Sequence, residues 1–294
     1  GTSMSSDIMP MTDARPRRQR GQGSGATDAA LLFDEPGPRG RILIAIGSVV
    51  AVIGIAALAA AVLYRLDLAG QLDYPKWRYF LGQSVVSQLL EAAGTTLTLG
   101  GVAAVLTFPL GIALGWLRLL DNRPIRWLVG LWIDAMRAVP MLLLVYFFLL
   151  VVPRFATISD FWKLALPIVM CTSATTAEVF RSGVRALDRG QTEAAWALGM
   201  SPSLTMRLIL APQALRLMLP TLITQMVTII KGTTLAYVLA YPELMYRGST
   251  MIGQAKIDAH LSVFFQTYVI IAVLYIIVNW SLGALARYIE SRTR

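Results

Sequence analysis

Two cations stand where an apolar chain should not tolerate them. Arg137 falls about ten residues into the apolar stretch 127–152, and Lys231 about fourteen residues into 217–239. At ~1.5 Å per helical residue they lie roughly 15 to 21 Å deep, where an isolated charge costs at least ~2.5 kcal/mol. Each must therefore face protein or water. Pro140 lies beside Arg137, and Gly232, Thr233 and Thr234 follow Lys231. Proline and glycine can interrupt a helix and free its backbone groups near the bilayer midplane, and a cation there attracts the carboxylate of a small anionic solute. The competing role is purely structural: each cation pairs with Asp134, Glu178 or helix carbonyls and pins the bundle. Spacing alone leaves the two roles even. Thr175, Thr176 and Glu178, near the end of another apolar stretch, read as supports of the bundle or of the loop that follows rather than as solute ligands.

Little other chemistry is on offer. One Cys (Cys171) and one His (His260) exclude an intrachain disulfide and a Cys/His metal cluster within one chain. Scattered acids with a single His supply no convergent catalytic group, so the chain reads as a non-enzyme. Lys231-Gly232-Thr233 reverses the order of a phosphate-binding loop and lies in an apolar stretch, not after a strand.

The elements that must position these residues are membrane spans. The chain is 56% hydrophobic and only 15% charged over 294 residues, a profile of membrane proteins. Residues 42–64 contain no charge, and ~23 helical residues reach ~35 Å, enough to cross a ~30 Å hydrocarbon core. Further apolar stretches cover 89–117, 127–152, 161–180, 217–239 and 262–286, so the expected fold is an all-α membrane protein of six spans. With both termini cytoplasmic, seventeen of the 26 Lys and Arg fall inside, seven outside and two within spans, as the positive-inside rule requires. The formal charge of +9 then sets topology and gives no reason to expect nucleic acid. Along the chain we expect a disordered basic tail over 1–40 carrying Arg15, Arg17, Arg18 and Arg20, a span over 41–64, an external loop over 65–82, a five-helix unit over 83–290 and a short tail over 291–294. Gly111 and Gly115, one helical turn apart, invite close approach of a second helix.

Between two spans lies a polar-looking segment, 193–212, within a cytoplasmic loop over 181–216. Asp188 or Thr192 can cap a short helix through Ala194, Ala195 and Trp196, and Gly199 supplies a left-handed C-terminal residue. Met200 follows, and Ser201 with Pro202 forms a strong start for a second helix. Leu204, Leu208 and Leu215 are expected to form that helix's apolar stripe. Two short helices joined by a glycine turn would make a stiff knob for a partner to grip.

The spacing Glu193-Ala194-Ala195, three residues, Gly199, nine residues, Ile209, one residue, then Ala211-Pro212 resembles the cytoplasmic loop of bacterial ATP-binding-cassette importer permeases, departing only where Ala211 replaces the usual Leu. Gly94-Thr95-Thr96-Leu97, Arg137-Ala-Val-Pro140, Ala177-Glu178-Val-Phe-Arg181, Pro212-Gln213-Ala214-Leu215-Arg216, Lys231-Gly-Thr-Thr-Leu235 and Glu243-Leu244 are similar to blocks of the polar amino acid importers within that family, and in the same order. The resemblance covers about 89–290 and leaves the first span and basic tail outside the usual five-helix core. It implies a type I importer permease with a cytoplasmic coupling helix, in which Glu193, Ala194, Ala195, Gly199, Met200, Ser201 and Pro202 engage the ATPase. It implies four kinds of partner: membrane lipid, a second permease subunit (the same or a different chain), a cytoplasmic ATPase dimer that binds ATP and Mg, and an external amino-acid-binding protein. The expected setting is the bacterial cell membrane. Arg137, Pro140, Lys231, Thr233 and Thr234 remain pathway candidates, and a positive cavity favours glutamate or aspartate as solute. The alternative is an ion-coupled carrier or channel without an ATPase, against which the lack of an internal repeat argues.

Overall fold

The computed structural model describes residues 37–293, and among these there is no β-strand. The expected tail at 1–40, with Arg15, Arg17, Arg18 and Arg20, lies almost wholly outside the described residues. The chain divides at Arg65/Leu66 into two compact units. The first contributes most of helix α1 (Pro38–Leu68), whose side chains from Arg41 to Tyr64 are all exposed. An unbroken apolar surface around a helix is expected where the solvent is lipid.

In the second unit, the expected loop at 65–82 is a folded cap. It contains the short helix α2 (Tyr74–Arg78), with Pro75 in its first turn, and a 3-10 turn at Tyr79–Leu81. The carbonyl of Gln71 accepts from Trp77 Nε1 at 3.2 Å and from Gln266 Nε2 at 2.5 Å, which ties this cap to the start of the last helix. Long helix α3 (Gln83–Leu117) follows, then α4 (Arg123–Ala138), α5 (Met141–Leu150), α6 (Asp160–Arg185) and α7 (Arg189–Ala197). A continuous helical run α8 (Pro202–Leu239), α9 (Leu244–Asp258) and α10 (Phe264–Thr293) complete it.

Helices α1, α3, α8 and α10 are long and apolar enough to cross a membrane, and the bent pair α4 and α5 makes up to five. The stretch 127–152 is thus not one straight span: α4 and the segment from Met141 meet at 96°. Val139 before Pro140 is forced into an extended conformation (φ −75°, ψ 128°), because the proline ring disfavours the helical region for its predecessor. The stretch 161–180 became α6, which is 26 residues long but carries polar and charged residues. It packs against α3, α4, α5 and α8, and a helix sheathed in protein has no need to be apolar all round.

The seam between α3 and α6 is the centre of the bundle. Leu99, Ala103, Thr107, Gly111 and Gly115 recur at four-residue spacing on the buried face of α3. Thr107 and Thr172 share a hydrogen bond at 2.8 Å across that seam, fully buried. Gly111 and Gly115 do allow the close approach expected of them: Thr176 lies over the first and the backbone of Ala177 over the second.

Helix α9 was not foreseen. Its N-cap is Glu243, with no exposed surface, whose carboxylate accepts from the backbone N–H of Met245 (2.9 Å) and Tyr246 (2.8 Å) and from the Tyr275 hydroxyl (2.9 Å). The adjacent Leu244 N–H donates to Thr96 Oγ1 at 3.2 Å. These bonds join α3, α9 and α10 at one buried polar knot, and burial there pushes the Glu243 carboxyl above the usual carboxylate range.

Candidate functional site

The segment 188–212 begins as a capped helix. Asp188 accepts from the Gly190 N–H at 2.7 Å and opens α7, which ends in a left-handed glycine, Gly199 at φ +77°. Gly199 N–H donates to Trp196 O and Met200 N–H to Ala195 O, closing the turn. Ser201 then caps α8, its Oγ accepting from the Leu204 N–H at 3.4 Å, with Pro202 in the first turn. Asp188, not Thr192, is therefore the cap.

Two expectations about this segment need correction. The helix after the turn is not short: it continues from Pro202 to Leu239, so the turn is attached directly to a span. The apolar stripe also differs. Leu204 and Leu208 are 43% and 59% exposed, while Thr205, Leu210, Ala211, Ala214 and Met218 are buried. A π-turn at Met206–Leu210 is the cause: it adds one residue to the turn and rotates everything before it out of register with the face after it. The result is an outward apolar surface of Trp196, Leu198, Leu204 and Leu208, with Glu193, Ala194, Gly199, Ser201 and Pro202 also exposed. Ala195 is buried and Met200 half-buried, so these two hold the turn rather than form its outer surface. A groove of about 390 Å³ between this segment and the end of α3 is lined by Trp116, Leu119, Trp196, Pro202 and Met206.

The pathway candidates lie at two helix irregularities that meet. A side chain on Gly232 would touch Met141 Sδ at 3.4 Å, which places the end of α8's regular part beside the break at Val139-Pro140. Arg137 and Pro140 are exposed, and so is Lys231. Among the described residues the Arg137 and Lys231 side chains make no hydrogen bond or ion pair. Asp134 and Glu178, their candidate partners, are taken instead by others. Arg118 grips Asp134 through both carboxylate oxygens (3.1 and 3.0 Å) and Glu178 at 3.1 Å, and Arg181 pairs with Glu178. Arg118 thus joins the ends of α3, α4 and α6, a role that local pattern does not reveal because its partners are sixteen and sixty positions away. Arg181 is held more firmly protonated than usual by its bond to Glu178.

Lys231 is followed by a tightening, not an opening: Thr233–Leu239 winds as a 3-10 helix that ends in left-handed Ala240 (φ 53°). Thr233 is fully buried and donates to Ile230 O, and Thr234 donates to Lys231 O, each at 2.7 Å, so both hydroxyl protons are spent on their own helix. Thr175 likewise donates to Cys171 O at 3.2 Å, and Thr176 to Thr172 O at 2.9 Å. Cys171 is buried in the bundle, and His260 is exposed with a left-handed backbone. No group of His, Cys, Asp and Glu suited to a metal occurs among the described residues.

Comparison with known proteins agrees with this architecture. Residues 107–294 match the family described as binding-protein-dependent transport system inner membrane component. The chain is 34% identical over 230 residues to the glutamate transport system permease protein GluD of Corynebacterium glutamicum, covering 76% of this chain and 82% of that one. It is 33% identical over 198 residues to the probable glutamine ABC transporter permease protein GlnP of Bacillus subtilis, covering 67% and 89%. The fold is similar to that in the crystal structure of an amino acid ABC transporter with histidines (TM-score 0.64, 24% identity, 71% of this chain and 95% of that one). It is also similar to that of the inward-facing MetNI methionine ABC transporter (TM-score 0.60, 15% identity, 72% and 99%). The chain belongs to the binding-protein-dependent transport system inner membrane component family.

Proposed function

We propose that this chain is the transmembrane permease subunit of an ATP-driven importer of polar amino acids, with glutamate or aspartate as its preferred solute. The observation that carries the reading is the pairing of an outward, apolar turn at 193–202 with a rigid connection to a span whose α-helical part ends at Gly232, next to Lys231. A force applied at Trp196, Leu198 and Leu204 is transmitted along α8, because a helix is stiff and Gly199 sits in a closed turn. The far end of that lever is where two unpaired cations, Arg137 and Lys231, border the meeting of two helix irregularities.

In this reading ATP and Mg are bound and hydrolysed by a cytoplasmic ATPase dimer that grips the turn through Glu193, Ala194, Gly199, Ser201 and Pro202, with Ala195 and Met200 bracing it from behind. An external binding protein delivers the solute, and a second permease subunit supplies the other half of the pathway. The chain carries no ATPase chemistry itself. Its setting is the bacterial cell membrane with both termini cytoplasmic, residues 83–290 forming the permease core and 41–64 an additional span. The similarity to permeases named for glutamate, glutamine and glutamate/aspartate import supports an acidic or amide amino acid, and two exposed cations favour the acidic ones.

Reconstitution into liposomes with the cognate ATPase and binding protein tests this. ATP-dependent uptake of labelled glutamate, competed by aspartate and not by arginine, is the expected result. Uptake that needs no ATPase and follows an ion gradient would instead identify a carrier.

A further inference from the structure

A second charged feature lies away from Arg137 and Lys231. Where the ends of α3, α4 and α6 meet, a cleft of about 390 Å³ is lined by Arg126, Trp127, Leu131, Asp134, Arg181 and Arg185, with Arg118 at its back. The two carboxylates available, Asp134 and Glu178, are already engaged by Arg118 and Arg181. Arg126 and Arg185 are exposed and make no ion pair among the described residues. Four guanidinium groups against two carboxylates leave two positive charges over.

The cleft does not stand alone. Leu131 also lines a groove of about 690 Å³ whose other walls include Leu110, Leu114, Leu128, Trp132 and Met170. The charged cleft and the apolar groove therefore adjoin at Leu131, on neighbouring sides of α4. From Leu128 to Met136 the groove follows nine residues of α4, about 12 Å of helix, close to the ~15 Å depth of one leaflet's hydrocarbon. Trp127, 69% exposed, lines the charged cleft next to Arg126, and an indole ring is at home in a membrane interface.

We propose that these two adjoining surfaces of α4 form a binding site for one anionic phospholipid, with Arg126 and Arg185 holding the phosphate and an acyl chain passing Leu131 into the groove. Charge complementarity selects the head group, and the dry groove selects an attached chain over free phosphate. Bound there, the lipid braces α4 against α3 and α6, directly below the bend at Pro140.

The test uses the complete transporter in mild detergent, titrated with phosphatidylglycerol or with phosphatidylcholine of the same acyl chains, and bound lipid is counted by native mass spectrometry. Phosphatidylglycerol is expected to bind more tightly. With about fivefold for each interfacial cation, Arg126→Gln weakens it about fivefold and Arg126→Gln with Arg185→Gln about twenty-five-fold, while phosphatidylcholine is unaffected. The single variant alters an exposed, unpaired side chain and keeps the proposal testable if the double variant assembles poorly. Equal binding of the two lipids, or unchanged phosphatidylglycerol binding in Arg126→Gln, overturns the site. So does efficient disulfide formation between two copies carrying Leu131→Cys in the membrane, which would make the groove an interface between permease subunits.

Discussion

Gly111 and Thr176 meet across the α3–α6 seam so closely that a methyl group on Gly111 would lie 2.5 Å from Thr176 Cβ and 2.8 Å from Ser173 O. Helix approach at this point is limited by backbone, not by a side chain that could swing away. Four residues on, a Cβ at Gly115 would lie 2.6 Å from Ala177 O. Because Glu178 belongs to the same stretch of α6 and holds Arg118 of the loop after α3, the seam also fixes the end of the bundle nearest the turn at Gly199.

Gly111→Leu must therefore push α3 from α6. A loss of about 1–3 kcal/mol, or failure to assemble, is expected from overpacking. Gly101, on the same helix, has nothing within 4 Å of its Cβ position, so Gly101→Leu is the control. Thermal unfolding in detergent separates them, and equal stability of the two variants would refute the tight seam.

The turn at Gly199 fails for a different reason. Nothing lies within 4 Å of a Cβ there, but φ is +77°. Gly199→Val is strained through its backbone alone, by about 1–3 kcal/mol, whereas Gly199→Asn tolerates the left-handed region. We expect the Val variant to insert normally and to copurify with less ATPase, and the Asn variant to behave as the native chain. Full ATP-coupled uptake by Gly199→Val would show that the turn is not a coupling element.

Trp196 is 57% exposed on the outer side of α7. Trp196→Ala leaves a surface residue smaller and is expected to change the stability of the isolated chain by less than about 0.5 kcal/mol. If the ATPase covers this ring, the same variant loses about 2 kcal/mol or more of subunit affinity, as buried aromatic anchors do. Subunit dissociation measured against permease unfolding distinguishes the two effects.

Lys231 is tested by charge rather than by size. Lys231→Met keeps the length of the side chain and removes its cation, so the apparent KM for glutamate should rise about tenfold while that for glutamine changes less. Unchanged KM for both amino acids would remove Lys231 from the solute path.

Glu243 predicts a pH dependence. Burial raises its carboxyl above the ordinary value of about 4.3, so the folded state penalises the ionised form more than the unfolded chain does. The neutral carboxyl's contribution to stability is fully present below the ordinary value and is lost as pH rises through the raised one. Glu243→Gln, which keeps an acceptor for the α9 amides, should flatten that slope between the two values. Glu243→Ala should destabilise by about 1–2 kcal/mol through loss of the cap. An identical pH profile in native and Gln chains would discount the carboxyl's role.

Local chemistry was enough to specify much of this protein. The apolar stretches became helices because a backbone in lipid must satisfy itself, and the turn at 188–202 formed as expected because Asp188, Gly199, Ser201 and Pro202 act on their immediate neighbours. Pro140 marked a break for the same reason. What local pattern does not encode is how far a helix is sheathed by others and which distant charges it meets. The 96° angle after α4, the exposure of Leu204 and Leu208 across a π-turn, the capture of Asp134 and Glu178 by Arg118, and the buried Glu243–Tyr275 bond all arise from packing between residues far apart in sequence. Backbone hydrogen bonding acts over a turn, and so the sequence wrote the elements. Ion pairing and close packing act across space, and only the folded bundle decided which cations are spent on structure and which stay free.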